Sequence, residues 1–137
     1  MHEERIGLHA FSFEPPDLVR CVFQGDISAD EMRRMIAYVR ACAEESAPVL
    51  IVADIAGLGA VPPDTRKEVR ATVGIPYGAI AVHSATFQTK ILASMILGAM
   101  KLLSGERTPV AFFGTEAEAR RWLEAERAAL APAVRRG

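Results

Sequence analysis

The stretch VLIVADIAGLGAVPPDTRKEVR, residues 49–70, contains the signals that decide the fold class. Its first five residues are apolar without alternation, which is typical of a strand that helices cover on both faces. Asp54 ends this predicted strand, and Gly57–Gly59 indicate a turn. The pair Pro62–Pro63 favours the first turn of a helix, where a missing N–H costs little. This helix is expected to run to Val73, with Gly74 as a left-handed stop. A buried strand followed by a turn and a helix is the unit of an α/β fold.

The segment before this stretch predicts a hairpin and a helix. Residues 6–13 and 18–24 are rich in β-forming residues, and the EPPD between them cannot lie inside a strand, which indicates an antiparallel hairpin. Ser28 and Glu31 then form a capping box, which satisfies free N–H groups at the start of a helix. Apolar residues at spacings of three and four carry this helix to about Ala43.

The segment after residue 70 predicts two further strand–helix units. The expected elements are a strand at 79–83, a helix from Ser84 or Thr86 to about Leu103 that is closed by Gly105, a strand at 110–113, and a helix that opens at a Thr115–Glu118 capping box and runs to about Leu130. The predicted order is therefore ββαβαβαβα, in a single α/β domain that spans residues 1–137. Helices that alternate with short strands imply a mixed, mostly parallel sheet with helices on both faces and the opening hairpin at one side.

Composition and charge restrict the classes of function. The chain has 137 residues, of which 50% are hydrophobic and 24% charged, and these values are those of an ordinary folded domain. Sixteen basic and 17 acidic residues leave a formal charge of -1, so no net field attracts nucleic acid. Thirteen of the basic residues are Arg, a bias that favours forked pairing with carboxylates.

Targeting and metal-binding motifs are not found in the sequence. The N-terminus, MHEER, is charged where a signal peptide would be apolar, and no apolar run reaches the roughly 18 residues of a membrane span. Cys21 and Cys42 form no CxxC pattern and have no nearby His cluster, which indicates neither a zinc site nor a disulfide framework. We therefore expect a cytoplasmic protein without metal, cofactor or membrane span, in which both cysteines belong to the core.

Polar residues follow two of the predicted strands. Asp54, His83 and Ser84 lie at carboxyl ends of strands, the edge at which open α/β sheets bind ligands. An Asp and a His on neighbouring strands form a candidate acid/base pair, because imidazole titrates near neutrality and a carboxylate fixes its tautomer. In the structural alternative, Asp54 caps backbone amides near Gly57 and His83 simply ends a strand. The catalytic alternative requires the two side chains to converge in one pocket.

The most unusual segment is ILASMILGAM, residues 91–100, because apolar side chains occur on every side of the predicted helix. Such a helix is covered on one side by its own domain and on the other by a second subunit, a lid or a lipid-like ligand, unless the same chain covers it entirely. Ser94 and Gly98 form a ridge of small residues that lets another helix approach. The expected interaction surface consists of Ile91, Leu92, Met95, Ile96, Leu97 and Met100. We expect Leu97→Glu to convert a dimer into a monomer without unfolding it.

The order of elements, residues 49–70 and the closing FFGTEAEARRWLEAE (112–126) together resemble the STAS superfamily, in particular its SpoIIAA-like branch. The resemblance covers most of the chain. It implies binding of protein partners, as in anti-sigma-factor antagonists, in which a hydroxyl group at the corresponding helix start is phosphorylated. Thr65, which follows Asp64, is the nearest hydroxyl and therefore the implied phosphoacceptor. The likeness of this branch to lipid-carrying CRAL-TRIO domains implies an apolar ligand.

The leading hypothesis from the sequence is a non-enzymatic regulatory module that binds an unidentified protein partner and self-associates through the helix at 86–103. One alternative is a carrier or sensor of an apolar small molecule or lipid. The other alternative is a small enzyme that uses Asp54 and His83.

Overall fold

In residues 3–104 and 108–136, which the computed structural model describes, six strands form one sheet and lie in it in chain order. The strands are β1 (Glu4–Ile6), β2 (His9–Glu14), β3 (Leu18–Gly25), β4 (Val49–Leu58), β5 (Tyr77–His83) and β6 (Val110–Phe113). The first three strands pair antiparallel, and β3 to β6 pair parallel. The predicted mixed, mostly parallel sheet is confirmed, and its antiparallel part lies at one side.

Four helices in this part of the chain cover both faces of the sheet. They are α1 (Ala29–Ser46), α2 (Pro63–Lys67), which continues as a 3₁₀ turn at Glu68–Thr72, α3 (Phe87–Ser104) and α4 (Glu116–Arg136). The core on the α1 and α3 face includes Ile51 and Ala53 of β4. The core on the α4 face includes Leu50 and Val52 of the same strand. Because successive side chains of a strand point to opposite faces, the unbroken apolar run of β4 is buried on both sides, as predicted.

The chain opens with three strands rather than the predicted two. The predicted strand at 6–13 is divided between β1 and β2 by a two-residue turn at Gly7–Leu8. Gly7 has a φ of +63°, which glycine adopts without the steric cost that a Cβ adds. The sequence pattern missed this turn because one glycine inside a β-rich run is also compatible with a continuous strand. The order of elements is therefore βββαβαβαβα.

The predicted end of β4 at Asp54 is wrong, because the strand continues to Leu58. Gly57, which indicated a turn, instead pairs with Gln24 of β3. A Cβ at Gly57 would lie 2.9 Å from the carbonyl oxygen of Phe23. The glycine therefore permits a close approach of two strands, which is the second common reason for glycine in a sheet.

The predicted helix starts are confirmed by their hydrogen bonds. Ser28 and Glu31 form the complete capping box of α1. At the start of α4, the N–H of Glu118 donates to Thr115 Oγ1 and the N–H of Thr115 donates to the Glu118 carboxylate. Of the two candidates for α3, Thr86 is the cap, and its Oγ1 accepts from the N–H of Thr89 at 3.1 Å.

The helix ends agree less closely with the sequence pattern. The helix predicted to run to Val73 is an α-helix only to Lys67 and continues as a 3₁₀ turn to Thr72, whereas Gly74 has the predicted left-handed conformation, with a φ of +90°. The helices α1 and α4 extend beyond the predicted ends at Ala43 and Leu130. The predicted stop at Gly105 lies outside the described residues.

Candidate functional site

An apolar cavity of about 170 Å³ lies between the sheet and the helices on the α1 and α3 face. Its walls include side chains from β2 to β5, α1, the 3₁₀ turn and α3, among them Phe11, Phe23, Met35, Ile51, Ile80 and Met100. Apart from the hydroxyl groups of Thr72 and Tyr77 and the thiol of Cys21, the lining side chains are hydrocarbon or thioether groups. Because protein interiors are close-packed, a space of this size between two formed layers is a candidate binding site.

The helix α3 closes one side of the cavity. Ala93, Ile96, Leu97 and Met100 lie on one face of this helix and line the cavity. Leu97 is half-buried. Leu97→Glu would therefore place a charge in an apolar space at a large desolvation cost. Leu97→Glu is therefore expected to destabilise the fold as well as any dimer. A monomeric Leu97→Glu variant would not by itself demonstrate self-association through α3.

The opposite face of α3 exposes a stripe of apolar side chains. At 100° per residue, Phe87, Ile91, Met95 and Leu102 fall within an arc of about 80°. Their side chains are 81%, 49%, 55% and 88% exposed. Gly98 lies in the same arc, and a Cβ built on it meets no atom within 4 Å. We call this surface the outer stripe.

The six residues of the predicted interaction surface are divided between these two faces. Ile91 and Met95 belong to the outer stripe, Ile96, Leu97 and Met100 line the cavity, and Leu92 is half-buried against the core. The all-round apolarity of α3 therefore has two structural counterparts, a cavity on one side and an exposed stripe on the other.

A cluster of Arg and Glu side chains lies beside the start of α4. Glu116 accepts hydrogen bonds from Arg20 at 2.9 and 3.1 Å and from Arg120 at 2.8 Å. Arg120 also makes a forked pair with Glu14, at 2.7 and 2.9 Å. The hydrogen bonds from Arg20, reinforced by the one from Arg120, lower the pKa of Glu116 to about 2, although burial opposes this shift. His83 Nε2 lies 3.7 Å from Glu116 Oε1.

This cluster was not identified from the sequence, because its members are spread from β2 to α4. The available signal is the excess of Arg, which predicts forked pairing with carboxylates. That pattern is confirmed for Arg20 with Glu116, and again for Arg127 with Asp17. The pairs connect α4 to the antiparallel part of the sheet, which gives the cluster a structural role.

Asp54 and His83, the candidate acid/base pair, are register partners on the neighbouring strands β4 and β5. The Asp54 carboxylate accepts from the N–H of Ala56 at 3.0 Å. His83 Nδ1 lies 2.9 Å from Ser84 Oγ, and its Nε2 faces Glu116. In the part of the chain that the structure describes, no hydrogen bond joins Asp54 to His83, and neither residue lines the apolar cavity. The geometry therefore favours the structural alternative for both residues.

Thr65, the implied phosphoacceptor, is fully buried. Its hydroxyl group donates a hydrogen bond to the carbonyl oxygen of Ile27 at 2.8 Å. Asp64, beside it, is exposed in the first turn of α2. A kinase requires the hydroxyl in solvent, so phosphorylation would require α2 to separate from the chain that follows β3. Phosphorylation of Thr65 stays a prediction.

Three further findings concern thiols, metals and membranes. Cys21 and Cys42 are free and buried, which confirms their predicted place in the core, and burial raises the pKa of both thiols. Within 3–104 and 108–136, no three or more His, Cys, Asp or Glu side chains are arranged to hold a metal ion. Over the same residues, none of the helices combines the length and apolarity needed to cross a bilayer.

The fold and the cavity together define an α/β domain in which one helix has its inner face on an apolar cavity and its outer face in solvent. No protein-family model, curated protein or solved structure matches the chain. The resemblance to the SpoIIAA-like branch of the STAS superfamily therefore rests on residues 49–70 and 112–126 and on the order of elements.

Proposed function

We propose that this chain is a non-enzymatic binding module that holds an apolar molecule, or the apolar part of a larger one, in the cavity beneath α3. The observation that supports this function is the cavity of about 170 Å³ with its almost entirely hydrocarbon lining. Sites for small ligands are typically concave and apolar with a few placed polar groups. The resemblance to the SpoIIAA-like branch implies the same class of ligand.

The cavity volume restricts the size of the ligand. A cavity of about 150 Å³ lined by aliphatic and aromatic side chains accommodates benzene, so this cavity corresponds to about six to eight carbon atoms. Sites for drug-sized molecules are about 300–1,000 Å³. A larger ligand would therefore place only one apolar segment in the cavity.

Thermal unfolding in the presence of 1-octanol tests this proposal, together with native mass spectrometry of the freshly purified chain. A ligand that binds only the folded state stabilises it by about 2.7 kcal/mol at 100 times its Kd. We expect 1-octanol to raise the Tm, and glycerol at the same concentration to leave it unchanged. Absence of a Tm increase with 1-octanol, combined with no retained molecule in the native spectrum, contradicts the proposal.

The second candidate function is self-association through α3, as a regulatory module that also binds a protein partner. The outer stripe favours it, because four large apolar side chains on one helical face are exposed. Gly98 and Ser94 provide the small residues that let two helices approach closely. We propose a second copy of this chain as the occupant of the stripe.

Light scattering across a dilution series tests self-association. We expect the wild-type chain to dimerise and Met95→Glu to remain monomeric, because the charge would lie in the centre of the paired stripes while leaving the cavity untouched. Ala128→Glu, at an exposed position of α4, adds the same charge away from the stripe and is expected to leave the dimer intact. A wild-type chain that is monomeric at high micromolar concentration refutes this candidate.

A further inference from the structure

A smaller pocket of about 20 Å³ adjoins the apolar cavity and differs from it in chemistry. The two share Thr72, Tyr77, Ile80, Leu97 and Met100 as lining residues. The smaller pocket adds Lys101 of α3, Thr108 and Val110. The apolar cavity therefore continues into a region that carries hydroxyl groups and a positive charge.

Of the two hydroxyl protons of Thr72 and Tyr77, one forms no hydrogen bond with the described residues. Thr72 Oγ1 and Tyr77 Oη lie 2.5 Å apart, and this bond uses one of their two protons. Neither hydroxyl group forms another hydrogen bond with the described residues. Burial raises the pKa of Tyr77, so its phenol stays protonated at neutral pH. Because buried donors are normally paired, the second proton is available to an acceptor in the pocket.

Positive charge accompanies this donor. Lys101 is exposed, and no carboxylate among the described side chains lies within ion-pair distance of it. Arg40 donates hydrogen bonds to the carbonyl oxygens of Ala71 and Val73. Its positive charge is close enough to Tyr77 to oppose the rise in the pKa of that phenol. A lysine in the last turn of a helix also complements the helix dipole, so Lys101 alone does not indicate a binding site. The Thr72–Tyr77 pair lines the same pocket, and its unused hydroxyl proton indicates a ligand with a hydrogen-bond acceptor, independently of the lysine.

We propose that the ligand of this cavity is an anionic amphiphile, whose apolar chain fills the cavity and whose carboxylate or phosphate head group places one oxygen in the smaller pocket at Thr72 and Tyr77, with the rest of the head group in solvent beside the exposed Lys101. This inference rests on the proposed binding function and adds the class of ligand. The head group accepts the hydroxyl proton and pairs with the Lys101 ammonium group. Hydrogen bonds to charged acceptors are stronger than those between neutral groups, so a charged head group gains more at this pocket than a neutral one.

Isothermal titration of the full chain with nonanoate, octyl phosphate and 1-octanol tests the inference, because the three probes share an eight-carbon alkyl chain and differ in the head group. We expect at least one anionic probe to bind about tenfold or more tightly than 1-octanol. The tighter of the two anions identifies a carboxylate or a phosphate as the preferred head group. 1-Octanol is expected to compete with the anions for the same cavity.

Substitution of Lys101 tests the charge. We expect Lys101→Gln to weaken binding of the anionic probe by about two- to fivefold, as for an exposed ion pair, and Lys101→Arg to retain the affinity. Lys90→Gln is the matched control, because it removes the same charge from the other end of α3, where Lys90 lies over the ring of Phe112 and outside both pockets. It is expected to leave the affinity unchanged.

Two results overturn the inference in different ways. Equal affinity for 1-octanol and both anions, with no effect of Lys101→Gln, refutes the head-group site and leaves the apolar binding function in place. Absence of binding by all three probes refutes the binding function itself, and the inference with it.

Discussion

Filling the apolar cavity tests whether its space exists in solution. The substitution Ala93→Leu on α3 would place three further carbon atoms in the cavity. Ala93 is 8% exposed and lines the cavity. The added carbons need about 75 Å³, half of a benzene-sized space, which is less than the cavity volume of about 170 Å³. Burial of three such groups stabilises the fold by about 2.4 kcal/mol, and ordering the longer side chain costs about 0.5–1 kcal/mol. We therefore expect the free energy of unfolding to rise by about 1–2 kcal/mol.

Urea unfolding and thermal unfolding measure this change, and titration with 1-octanol measures its effect on the cavity. For a chain of this size the gain corresponds to a Tm increase of about 3–8 °C. We expect the affinity for 1-octanol to fall by about tenfold or more, since the added side chain occupies its space. The control is Ala99→Leu, an exposed position on the same helix, which should change the free energy of unfolding by less than about 0.5 kcal/mol.

Two outcomes refute this reasoning. A loss of stability of more than about 1 kcal/mol would mean that the added side chain overpacks the core, so that the space is not available in solution. An unchanged affinity for 1-octanol in a stabilised variant would mean that the alcohol binds elsewhere.

Two further predictions concern the Arg–Glu cluster and the opening turn. Glu116→Gln should lower the free energy of unfolding by about 1–3 kcal/mol at neutral pH, because it weakens charge-assisted hydrogen bonds. The pKa of Glu116 is lowered from 4.5 to about 2 in the folded chain, so this stabilisation is present above pH 4.5 and is lost toward pH 2. If wild type and Glu116→Gln differ in their free energy of unfolding by urea by the same amount at every pH, this prediction is wrong. Gly7→Ala should destabilise by about 1–2 kcal/mol, because its Cβ is strained at positive φ and meets the Glu31 carboxylate. Gly98→Ala, with open space around it in the single chain, should instead stabilise α3 of the monomer, measured at protein concentrations below any dimerisation. Equal effects of the two glycine substitutions would count against the argument.

Local signals were sufficient where the physics is local. The capping boxes at Ser28–Glu31 and Thr115–Glu118 act within one helical turn, so residue spacing alone located two helix starts. Gly7 and Gly57 show the opposite case. Each was compatible with a turn or with a strand, and only the neighbouring strand decided between them. The Arg–Glu cluster was hidden for the same reason, since its members lie on elements that are distant in the chain.

The sequence by itself determined that residues 91–100 form a helix with too much apolar surface for one ordinary buried face. Only the tertiary structure divided that surface between Leu97 and its neighbours on the cavity and Met95 and its neighbours in solvent. The physical reason for this division is that a pattern of apolar residues predicts which side chains avoid water but not what they contact instead. Whether they meet close-packed atoms, a cavity or solvent depends on how α3 packs against the sheet, and the cavity between them is lined by side chains as distant in the chain as Phe11 and Tyr77.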